Sequence, residues 1–157
     1  MTAAIIAWHY TTGDKAVLIL ESGELRPTNC NVPAGEKPVL WFSLRQSGEP
    51  TATKGIVDSR TGRRRDATLT EMHRLGGGVV RFGVDAARLI RWPALAKAAH
   101  MRSATVRGLE KSGRSKGAVP SDWLGSLQPV PLADVLHLQQ FNGETWRDLP
   151  LFGEVSA

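Results

Sequence analysis

The first residues suited to chemistry are His9, Tyr10 and Thr11, which end an apolar stretch and precede Gly13. A neutral imidazole donates a hydrogen bond from one ring nitrogen and accepts one at the other. A histidine at a strand end can therefore bind a ligand hydroxyl. The alternative is a histidine and a tyrosine that only fill the core. Spacing alone leaves both alternatives open.

A second candidate is the segment Trp41-Phe42-Ser43. An aromatic ring close to a hydroxyl suits a flat heteroaromatic ligand, because the ring stacks and the hydroxyl supplies a polar contact. The alternative is a buried strand that ends in a turn serine. Trp41 and Ser43 are therefore candidate binding residues.

Arg81 is a cation within an apolar strand pattern. An arginine is rarely buried without a partner. We expect it either to pair with a carboxylate or to face a ligand phosphate. No Cys/His spacing typical of zinc, no phosphate-binding glycine loop and no dinucleotide-binding turn occurs in the chain, so no metal site is predicted.

Several carboxylates are candidates for the catalytic acid. Cleavage of a glycosidic bond passes through an oxocarbenium-like transition state, which a carboxylate stabilises. The late candidates are Asp122, after a Gly-Ala-Val-Pro turn, and Glu144, after Asn142-Gly143. Glu36 and Glu49 flank the Trp-Phe-Ser segment and are further candidates.

Apolar periodicity predicts the elements that must position these residues. Strands are predicted at residues 3–10, 39–43, 79–84, 123–127, 134–141 and 144–149, and helices at 15–22, 67–75, 92–100 and 103–112. Gly23 and Gly76 are predicted helix stops, and Asn142-Gly143 a hairpin turn. Residues 46–66 lack periodicity, which predicts a long loop. The order of elements indicates a single α+β domain over residues 1–157.

Charge is unevenly distributed along the 157 residues. The net charge is +5, yet residues 44–116 hold 16 basic and 6 acidic side chains, a net of +10. Such a segment can bind an anionic macromolecule, or it can be a solvated loop and helix face. The candidate acceptor-binding cations are Arg60, Arg63, Arg64, Arg65, Arg107 and Lys111.

Cysteine content and hydropathy indicate the compartment. The single cysteine, Cys30, excludes an intramolecular disulfide, which favours a reducing cytoplasm. The first residues lack the basic start of a secretory signal. No stretch approaches the roughly 18 apolar residues of a membrane span. We expect a cytoplasmic protein with no membrane partner.

Two segments resemble ADP-ribosyltransferase-fold proteins. His9-Tyr10-Thr11, followed by Leu18 to Pro27, is similar to their first-strand histidine and the short helix after it. Glu36 to Ser43 is similar to their aromatic-then-serine strand beside the nicotinamide pocket. The resemblance covers the first 45 or so residues. It implies two small antiparallel or mixed sheets that form a split cleft, with short helices outside.

The resemblance also implies a cofactor, NAD, and roles for the candidate residues. His9 would hold a ribose hydroxyl, with Thr11 beside it, and Tyr10 or Trp41 would flank the nicotinamide. Ser43 would support the site. In the same resemblance, Arg81 would lie near the phosphates or pair with the catalytic acid.

The catalytic acid is where the chain departs from the resemblance. One branch of the family carries Glu-x-Glu or Gln-x-Glu on a late strand, where this chain has Ser121-Asp122-Trp123. The predicted catalytic residues are therefore His9 with Asp122 or Glu144. The implied activity is NAD-dependent transfer of ADP-ribose to a protein or nucleic acid, as in a toxin or effector. The alternatives are a catalytically silent binding module and an RNA 2′-phosphotransferase.

Overall fold

The computed structural model describes residues 3–75 and 77–151. Its helices are α1 (Gly13–Ser22), α2 (Leu69–Arg74), α3 (Ala94–Ala98) and α4 (Ser103–Ser115). The strands are β1 (Ile6–Thr12), β2 (Glu24–Leu25), β3 (Leu40–Ser43), β4 (Gly55–Val57), β5 (Arg64–Asp66), β6 (Val79–Asp85), β7 (Ile90–Arg91), β8 (Trp123–Ser126), β9 (Val130–Pro131), β10 (Val135–Phe141) and β11 (Trp146–Asp148). Short 3₁₀ turns precede β7, β8 and β10.

Seven strands form one antiparallel sheet in the order β11-β10-β6-β1-β3-β8-β7. β6 lies near its centre and pairs with β1 along the whole of β1, with Tyr10 opposite Arg81. Val79, Phe82 and Val84 of β6 are fully buried, as expected for a strand covered on both faces. The pairs β2–β9 and β4–β5 are separate two-stranded sheets.

The seven-stranded sheet has a weak point between β1 and β3. These strands pair at one position only, Trp8 with Ser43, whereas β3 pairs with β8 along its full length. The sheet therefore consists of a four-stranded half (β11, β10, β6, β1) and a three-stranded half (β3, β8, β7). The halves meet at this position, which we call the junction.

Hydrogen bonds and a glycine define where helices α1 and α4 begin or end. α1 begins after Thr12, whose hydroxyl accepts a hydrogen bond from the Lys15 backbone N–H at 3.4 Å. It ends at Gly23, whose left-handed φ of 82° favours glycine. α4 begins beside Glu36, whose carboxylate accepts from the Thr105 hydroxyl at 2.7 Å. This hydrogen bond lowers the pKa of Glu36, so Glu36 has a role in anchoring a helix start.

The two largest apolar clusters of the described residues pack against the main sheet. The larger surrounds Phe82, Leu40 and Val84, where α1 contributes Ala16. The smaller surrounds Trp92, Trp123 and Leu95 beneath α3 and α4. Because Phe82 and Val84 belong to β6 and Leu40 to β3, the larger cluster spans both halves of the sheet, whereas the smaller lies against the three-stranded half.

The α+β class is confirmed, and most predicted elements are present within a few residues of their predicted bounds. One difference is the predicted loop 46–66, which contains the β4–β5 hairpin. β5 consists of exposed charged residues and β4 of only Gly55, Ile56 and Val57, so neither strand shows an apolar alternation long enough to predict it. A second is the Asn142-Gly143 turn, which lies in a longer loop because Phe141 pairs with Trp146. The predicted stop at Gly76 lies outside the described residues.

The expectation of two small sheets differs from the sheet that is observed. The main strands are connected by hydrogen bonds into one seven-stranded sheet, because Trp8 and Ser43 join its two halves. β1 and β3 separate beyond the Trp8–Ser43 pair, so the opening between them lies within this one sheet.

Candidate functional site

The junction borders a cavity of about 350 Å³, which we call the main cavity. Small-molecule sites occupy roughly 300–1,000 Å³. Trp8–Tyr10 of β1 and Trp41–Ser43 of β3 form two of its walls. The other walls are Glu49, Thr51, Ala52, Leu109, Ser112, Gly113, Lys116 and Trp123. The structure thus brings together four predicted residues: His9, Tyr10, Trp41 and Ser43.

His9 bridges the two halves of the sheet beside the junction. Its Nδ1 lies 2.8 Å from the backbone carbonyl oxygen of Trp41. A carbonyl can only accept, so Nδ1 carries the hydrogen and Nε2 of the neutral ring is an acceptor. Burial lowers the pKa of His9 and keeps this neutral form. Among the described residues none hydrogen-bonds to Nε2, and His9 lines the main cavity.

Glu49 is a buried carboxylate in the cavity wall, 8% exposed. One carboxylate oxygen accepts from the Ser43 hydroxyl at 3.0 Å. The other accepts from the backbone N–H of Thr51 at 3.0 Å and from its hydroxyl at 2.7 Å. Ser43 in turn accepts from the Arg45 backbone N–H at 3.1 Å. These hydrogen bonds hold Glu49 in place, and no described cation forms an ion pair with it.

Aromatic rings dominate the remaining cavity wall. Trp41 and Trp123 meet nearly edge to face, with ring centroids 6.3 Å apart. Trp92 packs against both rings from behind. The indole N–H of Trp123 is buried and has no hydrogen-bond partner among the described residues. These faces can stack on a flat ring and attract a cation.

Tyr10 connects the main cavity to a buried arginine. Its hydroxyl donates to the Arg45 backbone carbonyl at 3.3 Å and accepts from Arg81 at 3.4 Å. Burial raises the pKa of Tyr10, so the hydroxyl stays protonated at neutral pH. Tyr10 is therefore a polar wall residue and carries no charge.

Arg81 lies outside the cavity wall, and its partners among the described residues are aromatic rings and neutral oxygen atoms. Its guanidinium lies between the rings of Trp8 and Trp146, 3.9 and 4.2 Å from their centroids. It donates to the Gln139 side chain at 2.7 and 2.9 Å and to the Gln46 carbonyl at 2.6 Å. No carboxylate of the described residues pairs with it. Stacking and neutral acceptors replace the expected carboxylate, and contact with a ligand phosphate stays a prediction.

Three other predicted residues lie away from the cavity wall. Asp122 belongs to a 3₁₀ turn, where its backbone carbonyl accepts from Leu44 at 2.9 Å. Glu144 is exposed in the β10–β11 loop. Thr11 lies opposite Val80 in the sheet and does not line the cavity. Glu49 is the carboxylate that the structure places beside His9, Trp41 and Ser43.

The predicted basic residues divide between two places. Arg60, Arg63 and Arg64 are exposed on the β4–β5 hairpin. Arg107 and Lys111 lie on α4, whose cavity-facing residues are at positions 109, 112 and 113. At 100° per residue, positions 107 and 111 lie on the opposite side of that helix. The two cations of α4 therefore face away from the main cavity.

Some residues of the cavity could not be found by spacing. Glu49 is a candidate because it follows the Trp-Phe-Ser strand closely in sequence. Its place between Gly48 and Pro50 is the only other local feature that distinguishes it. Lys116 and Trp123 carry no such signal, because only the packing of α4 and β8 brings them to the cavity.

Comparison of the chain with family models, with curated proteins and with solved structures gives no match. Among the described helices none has the length and apolar character needed to cross a membrane. Within residues 3–75 and 77–151 no cluster of three potential metal ligands occurs.

Proposed function

We propose that the main cavity binds the nicotinamide end of NAD, and that the protein transfers ADP-ribose from NAD to a macromolecular acceptor. One observation carries the proposal. Aromatic walls, a free imidazole acceptor and a buried carboxylate line the same cavity.

The lining suits a flat cation. The nicotinamide ring of NAD is planar and positively charged, and indole faces attract such a ring most strongly. Trp41 and Trp123 provide the faces, and Glu49 provides the opposite charge. His9 Nε2 would accept from a ribose hydroxyl. Lys116, also in the wall, would lie toward the phosphates.

Glu49 takes the role that the sequence assigns to Asp122 or Glu144. When bound, NAD would supply a glycosidic bond between ribose and nicotinamide. A carboxylate stabilises positive charge on a sugar while such a bond breaks. Ser43 and Thr51 orient the Glu49 carboxylate through three hydrogen bonds. His9 orients the sugar and excludes water from one side of the cavity.

The RNA 2′-phosphotransferase alternative receives less support. It requires several arginine and histidine side chains around a 2′-phosphate. The described cavity wall contains one histidine, His9, and one cation, Lys116. The silent binding module remains the alternative that an activity measurement must separate from transfer.

The experiment measures NAD binding by calorimetry and nicotinamide release with DNA, RNA and protein acceptors. We expect NAD to bind more tightly than NADH, whose ring is uncharged. Glu49→Gln should reduce nicotinamide release about 100-fold or more, the size found when a transition-state stabilising group is removed. His9→Ala should weaken NAD binding roughly 10-fold, as expected for one hydrogen bond of about 1.4 kcal/mol.

The matched control is Glu144→Gln, the same chemical change at an exposed position. It should leave both measurements unchanged. Loss of activity in Glu144→Gln but not in Glu49→Gln would reject the assignment of Glu49. NAD binding without nicotinamide release from any acceptor would favour the silent module. Absence of NAD binding in the folded protein would reject the proposal.

A further inference from the structure

The β4–β5 hairpin presents arginines that nothing in the described structure neutralises. Arg60 and Arg63 lie in the loop that connects its strands, and Arg64 begins β5. All three are exposed, and none forms an ion pair within the described residues. The hairpin therefore carries three free guanidinium groups within five residues of sequence.

Ion pairs on both sides hold this hairpin to the body of the protein. Arg65 makes a bidentate contact with Glu71 of α2, with both distances 2.7 Å. Asp66 pairs with Lys116 at 3.0 Å. Successive residues of a strand point to opposite faces, so these two pairs fix both faces of the ribbon. A ribbon held in this way loses little conformational entropy when its arginines bind a partner.

We infer that the β4–β5 hairpin binds the phosphate backbone of a nucleic acid duplex. Guanidinium groups bind phosphate oxygens with paired hydrogen bonds, and a two-stranded ribbon fits the major groove. Residues 58–65 contain no apolar side chain. Protein interfaces depend on buried aromatic or aliphatic anchors, and single strands are bound by aromatic stacking. The hairpin tip offers neither, which favours a duplex backbone.

The hairpin also lies next to the main cavity. Lys116 lines the cavity and holds Asp66 at the hairpin end. The loop that supplies Glu49 and Thr51 to the cavity wall leads directly into β4. A bound duplex would therefore lie beside the cavity mouth. This inference does not depend on NAD, because binding to the hairpin needs no turnover.

The experiment measures anisotropy of a fluorescent 20-base-pair DNA duplex, without NAD, at 50 and 200 mM NaCl. Three phosphate contacts predict a log–log salt slope of about −2.7, or roughly a 40-fold loss of affinity between these salts. Arg63→Ala/Arg64→Ala should leave about one contact and lower that loss to roughly 3.5-fold. The matched control is Arg107→Ala/Lys111→Ala, which removes the same charge from α4 and should retain the salt slope of the unmodified protein.

Thermal unfolding of both variants verifies that they fold, as expected for exposed side chains. The inference is overturned if the α4 variant loses as much affinity as the hairpin variant, since net charge alone would then explain binding. It is also overturned if the folded protein does not bind the duplex at 50 mM NaCl. Hairpin-dependent binding of polyglutamate in place of the duplex would overturn it in favour of an acidic protein partner.

Discussion

Gly108 and Gly113 of α4 allow the effect of close packing on stability to be measured apart from the effect of helix propensity. A Cβ atom added at Gly113 would lie 2.5 and 2.6 Å from two ring carbons of Trp123, far inside van der Waals contact. A Cβ at Gly108 would meet nothing within 4 Å. Alanine at either position favours the helix by about 1 kcal/mol over glycine. The two substitutions thus share the propensity gain and differ in the steric cost.

The size of that cost follows from how Trp123 is held. Its side chain is 6% exposed, and its ring packs against Trp92 with centroids 5.5 Å apart. It cannot rotate away without moving the smaller apolar cluster. Overpacking in a core costs about 1–3 kcal/mol. We therefore expect Gly108→Ala to stabilise the protein by about 1 kcal/mol. Gly113→Ala should be about 1–3 kcal/mol less stable than Gly108→Ala.

The assay is urea and thermal unfolding of the two variants, followed by circular dichroism. For a chain of this size 1 kcal/mol shifts Tm by about 2–4 °C, so the midpoints should differ by roughly 2–12 °C. Tryptophan fluorescence should change only in Gly113→Ala, since only that variant displaces Trp123. Equal stabilisation by both alanines would refute the close approach of α4 to Trp123.

Three further predictions test the site and its surroundings. Arg81→Met should lower the free energy of unfolding by about 2–4 kcal/mol, because the part-buried hydrogen bonds from the buried guanidinium to Gln139 and to the Gln46 carbonyl are lost; an unchanged urea midpoint would contradict this. The hydrogen bond from Arg65 is the largest cause that lowers the pKa of Glu71 from 4.5 to about 2. The stability that the Arg65–Glu71 ion pair gives the hairpin is therefore fully present above pH 4.5 and is lost as the pH falls toward 2. NMR titration of Glu71 should show that pKa, returning toward 4.5 in Arg65→Gln. Burial lowers the pKa of His9 below 6.5, so NAD affinity should be constant from about pH 8 to 6.5 and fall only at lower pH, when Nε2 gains a proton. A calorimetric pH series that shows weakening already near pH 7 would argue against the neutral acceptor.

The strands and helices of this chain could be predicted where local chemistry decides them. β6 follows from alternating Val80, Phe82 and Val84, and α1 from its end at Gly23. The β4–β5 hairpin could not be predicted, because ion pairs from β5 to Glu71 of α2 and to Lys116, the residue after α4, hold it in place. Those contacts depend on elements distant in sequence, which periodicity does not detect.

The same distinction between local patterns and long-range contacts explains which residues of the candidate site could be predicted. His9, Tyr10, Trp41 and Ser43 lie on strands that sequence patterns detect, so their placement beside the cavity could be predicted. Which carboxylate joins them depends on where the loop after Ser43 folds back, and the Glu49–Ser43 hydrogen bond is visible only in three dimensions. The sequence predicts Arg81 as a strand residue, but its position between two indole rings could not be predicted.

The junction has a consequence for how the chain folds. Although the halves of the main sheet meet at one residue pair, the chain alternates between them, running from β1 to β3, back to β6, across to β7 and β8, and back to β10. Neither half is a continuous fragment, so no single cut of the chain separates one complete half from the other. We expect slow folding, since every pairing except the β4–β5 and β10–β11 hairpins joins distant parts of the chain. The two halves should therefore unfold together as one cooperative unit, despite the narrow connection between them.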